Sequence, residues 1–267
     1  MKKLALLLPF FLAVSLSCTQ SGQECVTLSA ALPCSLSRLA PGDETDGVYP
    51  LTWEAGDRIS IGSRTSQPLS ASAIKSDKAN FVFLGFAGVA PYHVLYPASE
   101  TGEIVFDGVV PPMYASASSL SGAVQFHHAG CALRLNLSGD LKVSSLSLRA
   151  DGGEPVAGRF NINFNTGELD ALAARPLVTT APGKPLSPLS GTVFYLYFVP
   201  GTFSEGLTVT AESPDGFEMS WHLASGATLG RGRVYLLPDL CFRSLDFTDG
   251  ARCSLEEMSE TLISMEL

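Results

Sequence analysis

Apolar and polar residues alternate through most of this chain, and the clearest alternation comes first. In VTLSAALPCSLSR, residues 26–38, the even positions Val26, Leu28, Ala30, Leu32, Cys34 and Leu36 are apolar, whereas Thr27, Ser29, Ser35 and Ser37 are small and polar. A period of two is that of a strand with one face in a core and the other in water. Pro33 falls on the outward side, which suits a sheet edge or a bulge. Burying Val26, Leu28, Leu32 and Leu36 is worth at most roughly 6–12 kcal/mol, comparable to a whole domain's stability of about 5–15 kcal/mol. The host sheet therefore depends on this strand or on an equivalent one.

Further short strands are predicted at residues 48–53, 58–61, 80–84, 92–96 and 103–106, set off by glycine and proline. The polar stretch 63–78 reads as a long loop. A second series falls at 124–127, 132–137, 143–148, 156–163, 193–199, 207–211, 217–222 and 234–237, with hairpin turns at Asn165–Gly167 and Pro214–Gly216. The run 193–199 is apolar on both faces and predicts a central strand, and the proline-rich stretch 175–190 reads as loop. Many short strands between turn residues predict an all-β chain of two tandem sandwiches, residues 24–114 and 123–248, joined by a small, polar linker at 115–122. Trp53 and Trp221 are the expected core anchors, one in each half. In the tail, residues 249–267, Leu255, Met258, Leu262 and Met265 fall at helical spacing, and Ser254 with Glu257 forms a capping box. A short C-terminal helix is expected there, and it must dock to persist.

The first 18 residues are of another kind. Lys2 and Lys3 precede the apolar run 4–16, too short for a comfortable membrane span and typical of an export signal. The run stops at Cys18, the predicted lipidation site, although the leucine of a lipoprotein signal stands one place late, at Leu16. Residues 19–24 then form a short polar tether.

Of 17 basic and 26 acidic residues, Lys2 and Lys3 lie in the leader, leaving 15 against 26 and a net charge of −11. That balance argues against nucleic acid as a partner and against a polybasic membrane patch. The cysteines fall at 18, 25, 34, 131, 241 and 253 without paired zinc-site spacing. Cys25 and Cys34 flank an extended strand some 30 Å long, beyond disulfide reach. Cys34 and Cys131 are expected to be buried thiols. His127 and His128 adjoin on a strand and so point to opposite faces. The chain carries no GxSxG, HExxH or phosphate-loop pattern, and GRGRV at 230–234 lacks the third glycine of a dinucleotide site. Neither enzymatic activity nor a metal or other cofactor is expected.

Six stretches carry a resemblance: LTWEAGDRISIG from Leu51, YPAS from Tyr96, FHHAGCALRLNL from Phe126, PVAGRFNI from Pro155, FYLYFVPGTFSEGLTVTAESPDG from Phe194 and TLGRGRVYLLPDL from Thr228. Together they resemble the fimbrillin family, subunits of type V pili and related lipoproteins. The resemblance implies transthyretin-like sandwiches, lipoprotein export to the outer membrane and cell surface, and cutting by a trypsin-like protease after an arginine behind the first strand. Arg38 matches that position, so the surface form would begin at Leu39 and residues 26–37 would be replaced by a neighbouring pilus subunit's strand. Stalk subunits of the family end in donor strands, whereas a helix is expected here, which favours a tip, accessory or anchor role in adhesion. The alternative is a lipid-anchored surface module that binds a glycan or a protein and does not polymerise.

Overall fold

The computed structural model describes residues 25–33, 52–75, 78–187 and 191–243 and a strand at 263–266. Among these residues the structure is almost entirely β, the exception being a single 3₁₀ turn, Ala71–Ala73.

The first half supplies β1 (Cys25–Ala31), β2 (Ser60–Ile61), β3 (Arg64–Thr65), β4 (Ile74–Lys75), β5 (Lys78–Leu84), β6 (Tyr92–Tyr96), β7 (Ile104–Phe106), β8 (Met113–Ala117), β9 (Ala123–Gln125) and β10 (His127–His128). One sheet runs β4-β5-β1-β9 and the facing one β10-β8-β6-β2-β3. Alternation decides what they bury: in β5, Ala79, Phe81 and Phe83 point inward while Lys78, Asn80 and Leu84 are exposed. Trp53 is the hub of this core. It is almost wholly buried and meets Phe81, Tyr96 and Phe126 edge-on at centroid distances of 5.0, 5.3 and 5.8 Å, the favoured aromatic geometry.

The second half supplies β11 (Cys131–Gly139), β12 (Ser145–Ala150), β13 (Ala157–Ile162), β14 (Leu169–Arg175), β15 (Leu177–Thr180), β16 (Thr192–Phe198), β17 (Gly201–Phe203), β18 (Leu207–Glu212), β19 (Glu218–Leu223), β20 (Ala227–Leu229), β21 (Arg233–Leu236), β22 (Leu240–Phe242) and β23 (Ile263–Glu266). The sheet β16-β11-β21-β23, with β22 also beside β11, faces β15-β12-β18-β19 across a core that includes Leu133, Leu135, Leu148, Phe198, Val209 and Phe242. Both predicted hairpins form, β13 to β14 and β18 to β19.

Several expectations are corrected. Residues 115–122 do not form a linker, because β8 pairs with β6 and β9 with β1; the second group of strands starts only at Cys131. The halves also share structure: β7 pairs with β13, and Leu95, Phe106, Tyr114, Phe160 and Val199 form a joint core. The polar stretch 63–78 contains β3 and β4, and β15 lies inside the proline-rich stretch 175–190. The strand at 193–199 stands at the end of its sheet rather than in the centre, its outer edge capped where the Tyr197 amide donates to the Gly108 carbonyl. At 263–266 the chain is a strand on β21, not a helix; pairing along an open sheet edge outweighs the marginal stability of a short isolated helix. The capping box at Ser254 and Glu257 lies outside the described residues. Trp221 is only half-buried, at the margin of its core.

Candidate site for strand exchange

The slot that β1 occupies has two unequal walls. Along one side β1 pairs antiparallel with β5 over its whole length, from Cys25↔Leu84 to Ala31↔Lys78. Along the other it pairs parallel with β9, but only over Ser29, Ala30 and Ala31. Among the described residues the N-terminal half of β1 is thus an edge and the C-terminal half is inserted. The outward Pro33 suits a sheet edge or a bulge, and the inserted half goes beyond that reading, since a three-residue parallel pairing leaves little periodicity to read.

Side chains match the alternation. Leu28, Ala30 and Leu32 are 0–1% exposed and join Trp53, Phe81, Phe83, Val124 and Phe126 in one core, with Val26 packed at its margin. Thr27 is exposed and Ser29 half-buried. Regular pairing stops at Ala31, before Leu32 and Pro33, where the proline has no N–H to offer a ladder. There the chain is pinned from the β9 side: the Phe126 amide donates to the Ala31 carbonyl at 3.0 Å, and the Gln125 side-chain amide donates to the Leu32 carbonyl. Cys34 and Leu36 of the predicted groove-filling set lie outside the described residues, as do Cys18, Arg38 and Leu39.

Were β1 withdrawn, β5 and β9 would stand two strand spacings apart, about 9.5 Å, over an aromatic floor. Seven residues of β5 would lose their β1 ladder partners, and such a row of unpaired backbone groups templates a replacement strand. Main-chain pairing would set its register, and two leucine-sized pockets would select its side chains.

Beneath this site Asp57 closes the turn after Trp53. It accepts from the Glu54 amide at 2.7 Å and from the Tyr96 hydroxyl at 3.1 Å, while Gly56 adopts φ +99° in the same turn. Burial pushes the Asp57 carboxyl above its ordinary range despite those donors, and burial beside Asp57 pushes the Tyr96 hydroxyl well up. Cys131 is a buried thiol as expected, lying 3.7 Å from the Phe198 carbonyl, and burial raises its pKa strongly. His127 is exposed and His128 buried, on opposite faces.

A second candidate surface is an open groove of about 510 Å³ on the outer face of β15-β12-β18-β19. Thr179, Ser147, Thr210 and Ser220 form a row of hydroxyls straight across four strands. Alongside it the Thr208 hydroxyl sits 2.8 Å from the Asp151 carboxylate and 2.9 Å from His222 Nδ1. Sequence reasoning missed this surface, whose only signal was the serine and threonine content of the outward positions.

No protein-family model matches the chain, and no curated protein sequence matches it. Solved structures similar to it include two candidate cell adhesion proteins. One is from Bacteroides uniformis ATCC 8492, with TM-score 0.48 and 14% identity, covering 84% of this chain and 95% of that one. The other is from Bacteroides ovatus ATCC 8483, with TM-score 0.49 and 11% identity, covering 83% and 93%. The C-terminally truncated tip fimbrial protein Mfa3 of Porphyromonas gingivalis is also similar, with TM-score 0.34 and 8% identity, covering 81% and 96%.

Proposed function

We propose that this chain is a surface fimbrial subunit, exported as a lipoprotein through Cys18, cut after Arg38 by a trypsin-like protease and assembled by exchange of its first strand. The observation that carries this reading is the slot itself. One short strand and the residue after it supply Leu28, Ala30 and Leu32 to the core of the first sandwich, and among the described residues its far wall pairs with it over three residues, with one further hydrogen bond at Leu32. The role is structural and adhesive rather than catalytic. Tip, accessory and anchor positions are the ones proposed, and the strand at 263–266 keeps a stalk position open beside them.

Mass spectrometry of the surface-exposed protein tests it. The mature N-terminus is expected at Leu39, in heat-labile oligomers that disappear in an Arg38→Ala variant. A surface form that is monomeric and retains residues 19–38 would overturn assembly by exchange. That outcome would favour the second reading, a lipid-anchored module binding a polar ligand such as a glycan, for which the hydroxyl-lined groove on β12, β15, β18 and β19 is the matching surface.

A further inference from the structure

The segment Leu84–Pro91, LGFAGVAP, has no polar side chain in eight residues, yet most of it lies at the surface: Leu84 is 40% and Val89 85% exposed. Exposed loops are normally polar, and an apolar one of this length asks for a partner. The loop is built rather than slack. Phe86 turns inward, 9% exposed, its ring centroid 5.8 Å from that of Phe83 and 6.0 Å from that of Tyr92. Gly88 folds back over that ring so closely that a Cβ there would lie 2.3 Å from it, and the Tyr92 hydroxyl donates to the Gly88 carbonyl at 3.4 Å. Phe86 is the peg that holds Val89 out at the tip.

The position of the loop identifies the partner. Pairing of Cys25 with Leu84 puts the start of this loop beside the point where the chain enters β1. Only six residues lie between Cys18 and Cys25, seven Cα steps that reach at most about 25 Å when fully extended. A lipid on Cys18 would therefore keep this end of the first sandwich within about 25 Å of the bilayer, nearer than its far end. Next to the loop, a cleft of about 380 Å³ is lined by Arg64 and by no carboxylate. An apolar tip with a guanidinium beside it suits acyl chains and the phosphates above them, whereas the acidic charge of the chain as a whole gives no general attraction to a membrane.

We infer that residues 84–91 form a contact loop for the lipid surface to which the chain is tethered, with Val89 entering the interface and Arg64 facing headgroup phosphate. The inference rests on the lipid attachment at Cys18 proposed above. It fixes the orientation of the unprocessed subunit, with the first sandwich down and the entrance to the β1 slot facing the membrane.

The test uses the full lipid-attached chain in phosphatidylethanolamine–phosphatidylglycerol vesicles whose acyl chains carry bromine, a tryptophan quencher. A Val89→Trp variant is compared with Phe217→Trp, a 51%-exposed position in the β18–β19 turn, each read as a difference from the parent chain. The added emission of Val89→Trp is expected to shift to the blue and to fall by about half or more, and that of Phe217→Trp to stay unchanged. Detergent-phase partitioning of the same preparations reports lipid attachment separately. Attached lipid with an unquenched, water-like Val89→Trp would overturn the contact loop and leave the lipoprotein reading standing; absence of lipid would overturn both. A blue shift on raising protein concentration without vesicles would assign the loop to a second subunit instead, and overturn the inference.

Discussion

The opening strands of the two sandwiches, β1 and β11, sit in closely similar settings. Each pairs antiparallel over seven residues with one neighbour, β5 or β16, and parallel over three with another, β9 or β21. Each sends alternate apolar side chains into its core, Leu28, Ala30 and Leu32 in one case and Cys131, Leu133, Leu135 and Leu137 in the other. They differ in how many strands hold them. β11 has a further parallel partner in β22, and it is entered from β10 through the buried Ala129 and Gly130, where a Cβ on Gly130 would crowd Phe106 and the Phe198 carbonyl. β1 has no third partner among the described residues, and its pairing with β9 ends at Ala31, two residues before Pro33. Equal burial thus makes both strands necessary to their cores, and the one with fewer strand partners is the one for which exchange is proposed.

The largest expected effect comes from taking the first strand away. A chain that lacks residues 19–38 loses the burial of Val26, Leu28 and Leu32, roughly 4–9 kcal/mol, which is comparable to the stability of a whole domain. Its first sandwich should fail to show a cooperative urea transition by Trp53 fluorescence, and a synthetic peptide of residues 25–37 should restore one. Single truncations come next. Leu28→Ala and Leu135→Ala should each cost about 2–5 kcal/mol in urea titrations. A chain carrying Leu28→Ala and nicked after Arg38 should recover on addition of wild-type peptide, whereas no peptide should recover Leu135→Ala. A smaller effect is expected at the far wall: Gln125→Ala removes one hydrogen bond to the Leu32 carbonyl, about 1 kcal/mol, and should speed release of the nicked strand about fivefold.

The smallest effect distinguishes the halves by pH. Asp57 in the first sandwich has its pKa raised by burial, so its contribution is fully present below the ordinary value of 3.8 and is lost as pH rises through the raised one. Glu154 in the second half is lowered by donation from the Ser204 hydroxyl and amide, so its contribution is present above 4.5 and is lost as pH falls through the lowered value. Acidification across this range should therefore favour the first sandwich relative to the second. Asp57→Asn should remove the first trend and Glu154→Gln the second, read as unfolding midpoints from Trp53 and Trp221 fluorescence between pH 3 and pH 7.

What the sequence disclosed follows the strength of each periodic signal. The inward residues of β1, β5 and β11 were legible because large apolar side chains recur there every second position. β9 was assigned to the wrong half, because Ala123, Val124 and Gln125 are too few to show which sheet they complete. β14 was signalled only by the turn at Asn165–Gly167: LDALAAR is a helix-favouring composition, and its side chains are half-buried or exposed, so pairing with β13 decides its conformation without a hydrophobic period. In the tail only residues 263–266 are described, and there the helical spacing that ends at Met265 gives way to pairing with the open edge of β21, a tertiary fact. At the site itself, the groove-filling face could be read, and the second wall built by Gln125 and Phe126 could not.

The central claim is that the first strand is held by its pairing and not by its covalent connection, and exchange in a nicked chain measures this directly. The protein is cut after Arg38 under native conditions and mixed with an excess of isotope-labelled peptide spanning residues 25–37, and the species are weighed by native mass spectrometry. The labelled peptide is expected to replace the original strand one for one, with the rest of the chain still folded. A nicked protein that takes up no peptide while remaining folded, or that loses both sandwiches once the strand departs, would contradict the account.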